Sequence, residues 1–270
     1  MTDGSEVVQV GRHHSTAVVT LARPAVRNAV SGELLTALRT AMTEADQDDT
    51  VKVIVLTGQD PVFCAGLDLK ALAAADPVLA SEAAAPSHRP WPVTTKPVIG
   101  AINGPAVTGG LEIALACDLL VASERATFAD THARVGVMPS WQISVRLPAA
   151  VGRRTAAWMS LTGRPLDAER AFQLGLVTQV VAHEDLLTTS LSLADEVAAV
   201  DEAAAKSLLH SYRQVEDLVW REGFDQETRT GETWRAAHVG FASIERIRAE
   251  VIAGGRARHA TDGVSTDEAH

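Results

Sequence analysis

An α/β fold closed by a helical C-terminal region follows from two patterns in this 270-residue chain. Through the first half, short β-branched runs alternate with helix-period stretches, and strands separated by helices build βαβ-type units. From about residue 186 the pattern turns helical, with alanine-rich amphipathic runs through residue 246. A chain of this length holds one large α/β domain with a helical appendage and buries a sizeable core.

Taken in order, residues 16–21 read as a strand and residues 32–44 as an amphipathic helix. Residues 51–57 read as a second, buried strand, 97–102 as a third and 119–122 as a fourth. Between the second and third, residues 71–95 mix alanine runs with Pro77, Pro86, Pro90 and Pro92 around Trp91. Alanine favours helix and the prolines interrupt it, so a short helix followed by an adaptable loop is expected there. Residues 254–270 are polar and lack periodicity, and a frayed tail is expected.

Composition narrows the partners. The net charge of −10 argues against nucleic acid. Although 46% of residues are hydrophobic, no 18-residue uncharged run appears, so no membrane span is expected. Residues 1–6 are acidic and carry no signal-peptide core. Cys64 and Cys117 are the only cysteines, and both lie in apolar motifs. Buried free thiols in a reducing cytoplasm are therefore expected rather than a disulfide. None of the nine histidines has spacing such as H-E-x-x-H, so no metal site is expected.

The chemistry concentrates in residues 103–118, Asn-Gly-Pro-Ala-Val-Thr-Gly-Gly-Leu-Glu-Ile-Ala-Leu-Ala-Cys-Asp. The pair Gly109-Gly110 directly precedes an apolar helical run, and Glu112 falls in its first turn. Glycine lets a ligand approach the backbone, and the first N–H groups of a helix have no internal partner. Such a turn stabilises developing negative charge while the carboxylate moves a proton. Phe63-Cys64-Ala65-Gly66-Leu67-Asp68-Leu69 lies upstream, after the second strand. One backbone donor from each of the two turns makes an oxyanion hole.

These motifs, in this order, resemble those of the enoyl-CoA hydratase/isomerase (crotonase) family, from about residue 7 to about residue 260. Further matching pieces are Leu21-Ala22-Arg23-Pro24 with Asn28-Ala29, Thr57-Gly58, Lys96-Pro97 to Asn103-Gly104, Leu161-Thr162-Gly163 and Ala171 to Val177. The resemblance implies a repeated ββα superhelix core over residues 7–185 holding the acyl-CoA site. It also implies a helical oligomerisation region over 186–253, forming trimers often paired into hexamers. By the same resemblance the two donors are the N–H groups of Leu67 and Gly109, and the Leu67 side chain shapes the acyl pocket. Coenzyme A is expected near Arg27, Ala65, Asp68 and Lys70, with Arg23, Arg27 and Lys70 supplying positive charge. No redox or metal cofactor is implied, because coenzyme A arrives as part of the substrate.

The chain departs from the family at one decisive place. Phe128, Gly136 and Pro139 keep the family spacing, but position 132, where the hydratases carry a second glutamate, is histidine. His132 has two readings. It replaces the glutamate as a proton carrier, oriented by Asp130, or it is a structural hydrogen-bonding residue beside a solitary Glu112. If residues 128–132 are extended, Asp130 and His132 share a face. After Pro139, Ser140-Trp141-Gln142-Ile143 replaces the usual small residues, and Trp141 narrows the acyl pocket. The expected activity is hydration of a 2-enoyl-CoA to a 3-hydroxyacyl-CoA. The alternatives are an isomerase or lyase on the same scaffold, or a catalytically weak acyl-CoA-binding protein.

Overall fold

The computed structural model describes residues 7–84 and 88–238. Along the chain come β1 (Val8–His13), β2 (Thr16–Leu21), α1 (Gly32–Gln47), β3 (Val53–Gly58), α2 (Leu69–Ala73) and α3 (Pro77–Ala84). The middle contains β4 (Val98–Ile102), β5 (Ala106–Val107), α4 (Gly109–Leu115), β6 (Leu119–Ser123), β7 (Thr127–Ala129) and α5 (His132–Val135). Then follow α6 (Ile143–Val151), α7 (Arg153–Thr162), β8 (Leu166–Asp167), α8 (Ala168–Leu174) and β9 (Gln179–Val181). The helices α9 (Leu186–Ala198) and α10 (Glu202–His238) complete the described chain.

Six strands form the main sheet in the order β1-β2-β3-β4-β6-β9. β1 runs antiparallel to β2, with Val8 opposite Leu21, and the other pairings are parallel. The inner strands are near-continuous apolar runs because helices cover both faces. Ile54 and Leu56 pack with Leu34, Leu35, Leu38 and Met42 of α1, while their neighbours Val53 and Val55 pack with Leu186 and Ala194 of α9. Successive strand residues thus serve opposite cores, as strand geometry requires. Ser31 starts α1 by accepting a hydrogen bond from the Leu34 N–H at 3.2 Å.

A second sheet, ordered β5-β7-β8, positions the chemistry. Its strands have only two or three residues, too few for alternation to show in sequence. The predicted strands are present, with the second beginning two residues later than expected. Over residues 71–95 the structure has one more helix than expected, since α3 follows α2 and starts at Pro77. The expected tail over 254–270 and the end of the helical region beyond residue 238 lie outside the described residues.

Candidate active site

One wall of the site is main chain. The Val30 N–H donates to the Gly66 carbonyl at 2.8 Å, and the Asp68 N–H donates to the Val30 carbonyl at 2.9 Å. This bridge uses the groups on either side of Leu67, so the Leu67 N–H faces away from Val30. Opposite it, Thr108 turns the chain into α4 at φ 55° and ψ −112°, a conformation that favours glycine. The turn is held by the Thr108 N–H on the Ala129 carbonyl at 2.8 Å and by its hydroxyl against that of Thr131. Among the described residues the N–H groups of Leu67 and Gly109 have no protein acceptor.

The two glycines of the pair do different things. A Cβ placed on Gly109 would stand 3.6 Å from the Gly66 Cα and 3.7 Å from the Leu67 nitrogen, in ordinary contact. The two donors therefore flank one small space. A Cβ on Gly110 would come within 2.1 Å of the Cys64 carbonyl oxygen, a backbone atom that cannot step aside. Gly110 serves close packing, and Gly109 lines the site.

The other wall is made of side chains. Glu112 is 2% exposed, and its Oε1 accepts the Trp141 N–H at 2.8 Å. Its Oε2 lies 3.6 Å from His132 Nε2. On the far side of the ring, His132 Nδ1 meets Asp130 Oδ1 at 2.7 Å, and the His132 N–H donates to the same oxygen at 3.1 Å. The Ser160 hydroxyl donates to Asp130 Oδ2. Burial alone would lower the imidazole pKa, but hydrogen bonds and charge from Asp130 and Glu112 push it up to about 9. Burial works to raise the Asp130 carboxyl, yet His132 and Ser160 hold it below the usual carboxylate range. The result is a buried carboxylate–imidazolium–carboxylate row.

Asp130 and His132 meet for a different reason from the shared strand face that an extended chain implies. α5 begins at His132, so strand alternation has already ended. Asp130 instead folds back on the turn and accepts from both the backbone and the ring two residues on.

Around Leu67 the residues expected near coenzyme A form one rim. The Ala65 N–H donates to the Arg27 carbonyl at 3.0 Å. Asp68 caps α2, its Oδ1 accepting the Lys70 and Ala71 N–H groups, while its Oδ2 accepts both Arg23 guanidinium nitrogens at 3.1 Å. Arg23 is thereby engaged inside the fold. Arg27 and Lys70 are exposed, and among the described residues their side chains have no protein partner.

Three supports are absent from the sequence-based expectation. Ser160 backs Asp130, Glu82 accepts the Trp141 indole N–H at 2.8 Å, and Glu227 of α10 accepts the N–H groups of Gln142 and Ser144, each at 2.7 Å. Burial and the charge of Glu112 raise the Glu227 carboxyl, against the lowering effect of those N–H groups. A cleft of about 730 Å³ lies elsewhere, between α10 and the backs of α4 and α6, and none of Leu67, Gly109, Glu112 or His132 lines it.

Comparison with known proteins identifies the family. Residues 11–239 match the family model described as enoyl-CoA hydratase/isomerase. The probable peroxisomal enoyl-CoA hydratase 1 of Arabidopsis thaliana is 38% identical over 200 residues, which is 73% of this chain and 74% of that one. The 2,3-dehydroadipyl-CoA hydratase of Escherichia coli (strain K12) is 34% identical, over 83% of this chain and 88% of that one. A crystal structure of an enoyl-CoA hydratase from Mycobacterium smegmatis superposes with a TM-score of 0.80 at 47% identity, covering 87% of this chain and 100% of that one. Since the match runs from within β1 to the end of α10, the chain has the crotonase fold and belongs to the enoyl-CoA hydratase/isomerase family.

Proposed function

We propose that this protein is an enoyl-CoA hydratase, a hydro-lyase that adds water across the 2,3-double bond of an enoyl thioester to give a 3-hydroxyacyl-CoA. The observation that carries this is the Glu112 Oε2–His132 Nε2 approach of 3.6 Å beside two unpartnered N–H groups. The thioester oxygen accepts from Leu67 and Gly109, which draws electrons toward oxygen and leaves C3 electrophilic. Glu112 takes a proton from water as the water oxygen bonds to C3. His132, held as imidazolium, gives its Nε2 proton to C2 as the enolate collapses. The proton on Glu112 then returns to His132 across the short gap, and the site is reset. Asp130 and Ser160 keep the imidazole in place throughout.

Coenzyme A enters as part of the substrate, and the cycle uses no other group. Its phosphates meet Arg27 and Lys70 at the rim, beside Ala65, while Asp68 fixes that rim by capping α2 and holding Arg23. The core over residues 7–185 carries the site, and the C-terminal region over 186–253, helical as far as it is described, assembles copies into a trimer or hexamer. Supporting this, α10 exposes Leu208, Tyr212, Val215 and Val219 along one side. Cys64 and Cys117 are both free, and burial pushes the Cys64 thiol up to about 12, which fits a reducing cytoplasm. Among the described residues no helix is long and apolar enough to cross a membrane.

Loss of the conjugated thioester absorbance of crotonyl-CoA on incubation with the protein tests the assignment. Stable absorbance, together with conversion of a 3-enoyl-CoA to its 2-enoyl isomer, would replace hydration with isomerisation.

A further inference from the structure

Trp141 and its buried supports bear on which acyl chain the site takes. The indole is 2% exposed and tied at both ends. Its backbone N–H is held by Glu112, and its Nε1–H donates to Glu82 Oε1 at 2.8 Å. The other Glu82 oxygen accepts from Arg39 of α1 at 2.8 Å, and the Arg39 Nε donates to the Pro90 carbonyl at 3.1 Å. α3, which carries Glu82, is itself anchored. Asp76 accepts the N–H groups of Val78 and Leu79 with one oxygen and that of Gly32 with the other, so it joins the start of α3 to the start of α1.

The ring edge lies beside Gly109, one of the two oxyanion donors. Trp141 Cζ3 lies 3.8 Å from the position of a Cβ on Gly109, almost as near as the Leu67 nitrogen at 3.7 Å. An acyl chain whose carbonyl sits between those donors, and whose C2 and C3 face Glu112 and His132, therefore meets the indole soon after C3. Swinging the ring aside is unfavourable. It strips a buried carboxylate of a donor and leaves a buried indole N–H unpaired.

We propose, resting on the hydratase reading, that Trp141 caps the acyl slot and restricts this site to short-chain enoyl thioesters, with Glu82 and Arg39 as positioning residues that hold the cap closed. No signal in the sequence links these residues, since Glu82 and Trp141 stand 59 positions apart.

The test compares kcat/KM for crotonyl-CoA and trans-2-decenoyl-CoA in the full-length protein, Trp141→Ala and Glu82→Ala. Alongside it, calorimetry gives Kd for the unreactive butyryl-CoA and decanoyl-CoA. The wild type is expected to favour the short chain about tenfold or more, the scale on which a pocket wall discriminates apolar groups. Trp141→Ala should erase that preference by improving the long substrate, and Glu82→Ala should reduce it by less. Should Trp141→Ala fail to fold, Trp141→Phe keeps a ring but no Nε1–H, and should move the ratio the same way to a smaller degree. Equal use of both lengths by the wild type, or a ratio that none of the variants moves, overturns the cap. A wild type that binds butyryl-CoA selectively but hydrates neither enoyl substrate supports the cap and overturns the hydratase reading. Binding of neither thioester overturns both.

Discussion

Leu67 and Gly109 are expected to meet the thioester through main-chain N–H groups, whereas Glu112 and His132 meet it through side chains, and the two walls are held by different means. The main-chain wall is fixed by bridges between Val30 and Leu67 and between Cys64 and Ala106, and by close approach at glycine. It is indifferent to the chemistry of the Leu67 side chain and, at Gly110, has no room for a Cβ beside the Cys64 carbonyl. The side-chain wall is fixed by hydrogen bonds onto buried carboxyl groups, from His132 and Ser160 to Asp130 and from the Trp141 N–H to Glu112, and it depends on the identity of these side chains. One wall fails by steric displacement, the other by loss of a proton.

The largest effect is expected at Glu112. Glu112→Gln preserves shape and still accepts the Trp141 N–H, but it cannot take a proton from water. Turnover should fall by about 10²- to 10⁴-fold, the usual worth of a general base, while calorimetry shows butyryl-CoA binding retained. Near wild-type hydration in this variant would remove Glu112 from the mechanism.

On the main-chain wall, Gly109→Val places branched carbons between the donors. Losing one such donor costs about 10²- to 10³-fold in kcat, with a melting temperature close to the wild type. Gly110→Ala should do the opposite and damage folding, because its Cβ meets the Cys64 carbonyl at 2.1 Å. If the folded fraction of Gly109→Val were fully active, the main-chain wall would be structural only.

His132→Ala should slow the chemical step by about 10²-fold and alter the pH profile. With a pKa of about 9 the wild-type imidazolium supports activity at neutral pH, and kcat/KM should fall as pH rises through that value. Folding follows the same sign. The folded pKa exceeds the unfolded value of ~6.5, so the stabilisation is complete below ~6.5 and lost as pH rises through about 9. His132→Glu, which restores paired carboxylates, should hydrate at least as well as His132→Ala. An unchanged profile in His132→Ala would leave Glu112 working alone.

The smallest effect is expected from Asp130→Asn. It removes one of the two carboxylates that raise His132, so the alkaline limb should shift to lower pH with only about a tenfold loss of rate, below the roughly 10²- to 10⁴-fold worth of a lost acid or base because the proton carrier itself remains. A limb that stays in place would assign the raised pKa to Glu112 by itself.

Which parts of this were legible in the sequence follows from the range of the contacts. Gly109, Gly110 and Glu112 lie within one helical turn, so their relation is visible in four letters. His132 stands out because Phe128, Gly136 and Pro139 frame it. An extended chain puts Asp130 on the same face as His132, whereas a turn is what brings the two together. Ser160, Glu82 and Glu227 reach their partners across 30, 59 and 85 positions, and nothing local distinguishes them from other polar residues. The same holds for the fold. Long apolar strands such as β3 declare themselves, whereas β5, β7 and β8 exist only because neighbours pair with them. β1, with Gly11 and Arg12 at the sheet edge, has no clean alternation to read.

The turn between Pro139 and α6 is gripped from two directions, by Glu112 at the Trp141 N–H and by Glu227 at Gln142 and Ser144. Glu227 stands on α10, the last described helix, which is tied to the core by Arg213 on Asp118, the residue before β6, and carries exposed apolar residues along one side. Any loosening of α10 therefore loosens the turn that holds Glu112. Activity is thus expected to follow the seating of one helix as well as the integrity of the core sheet.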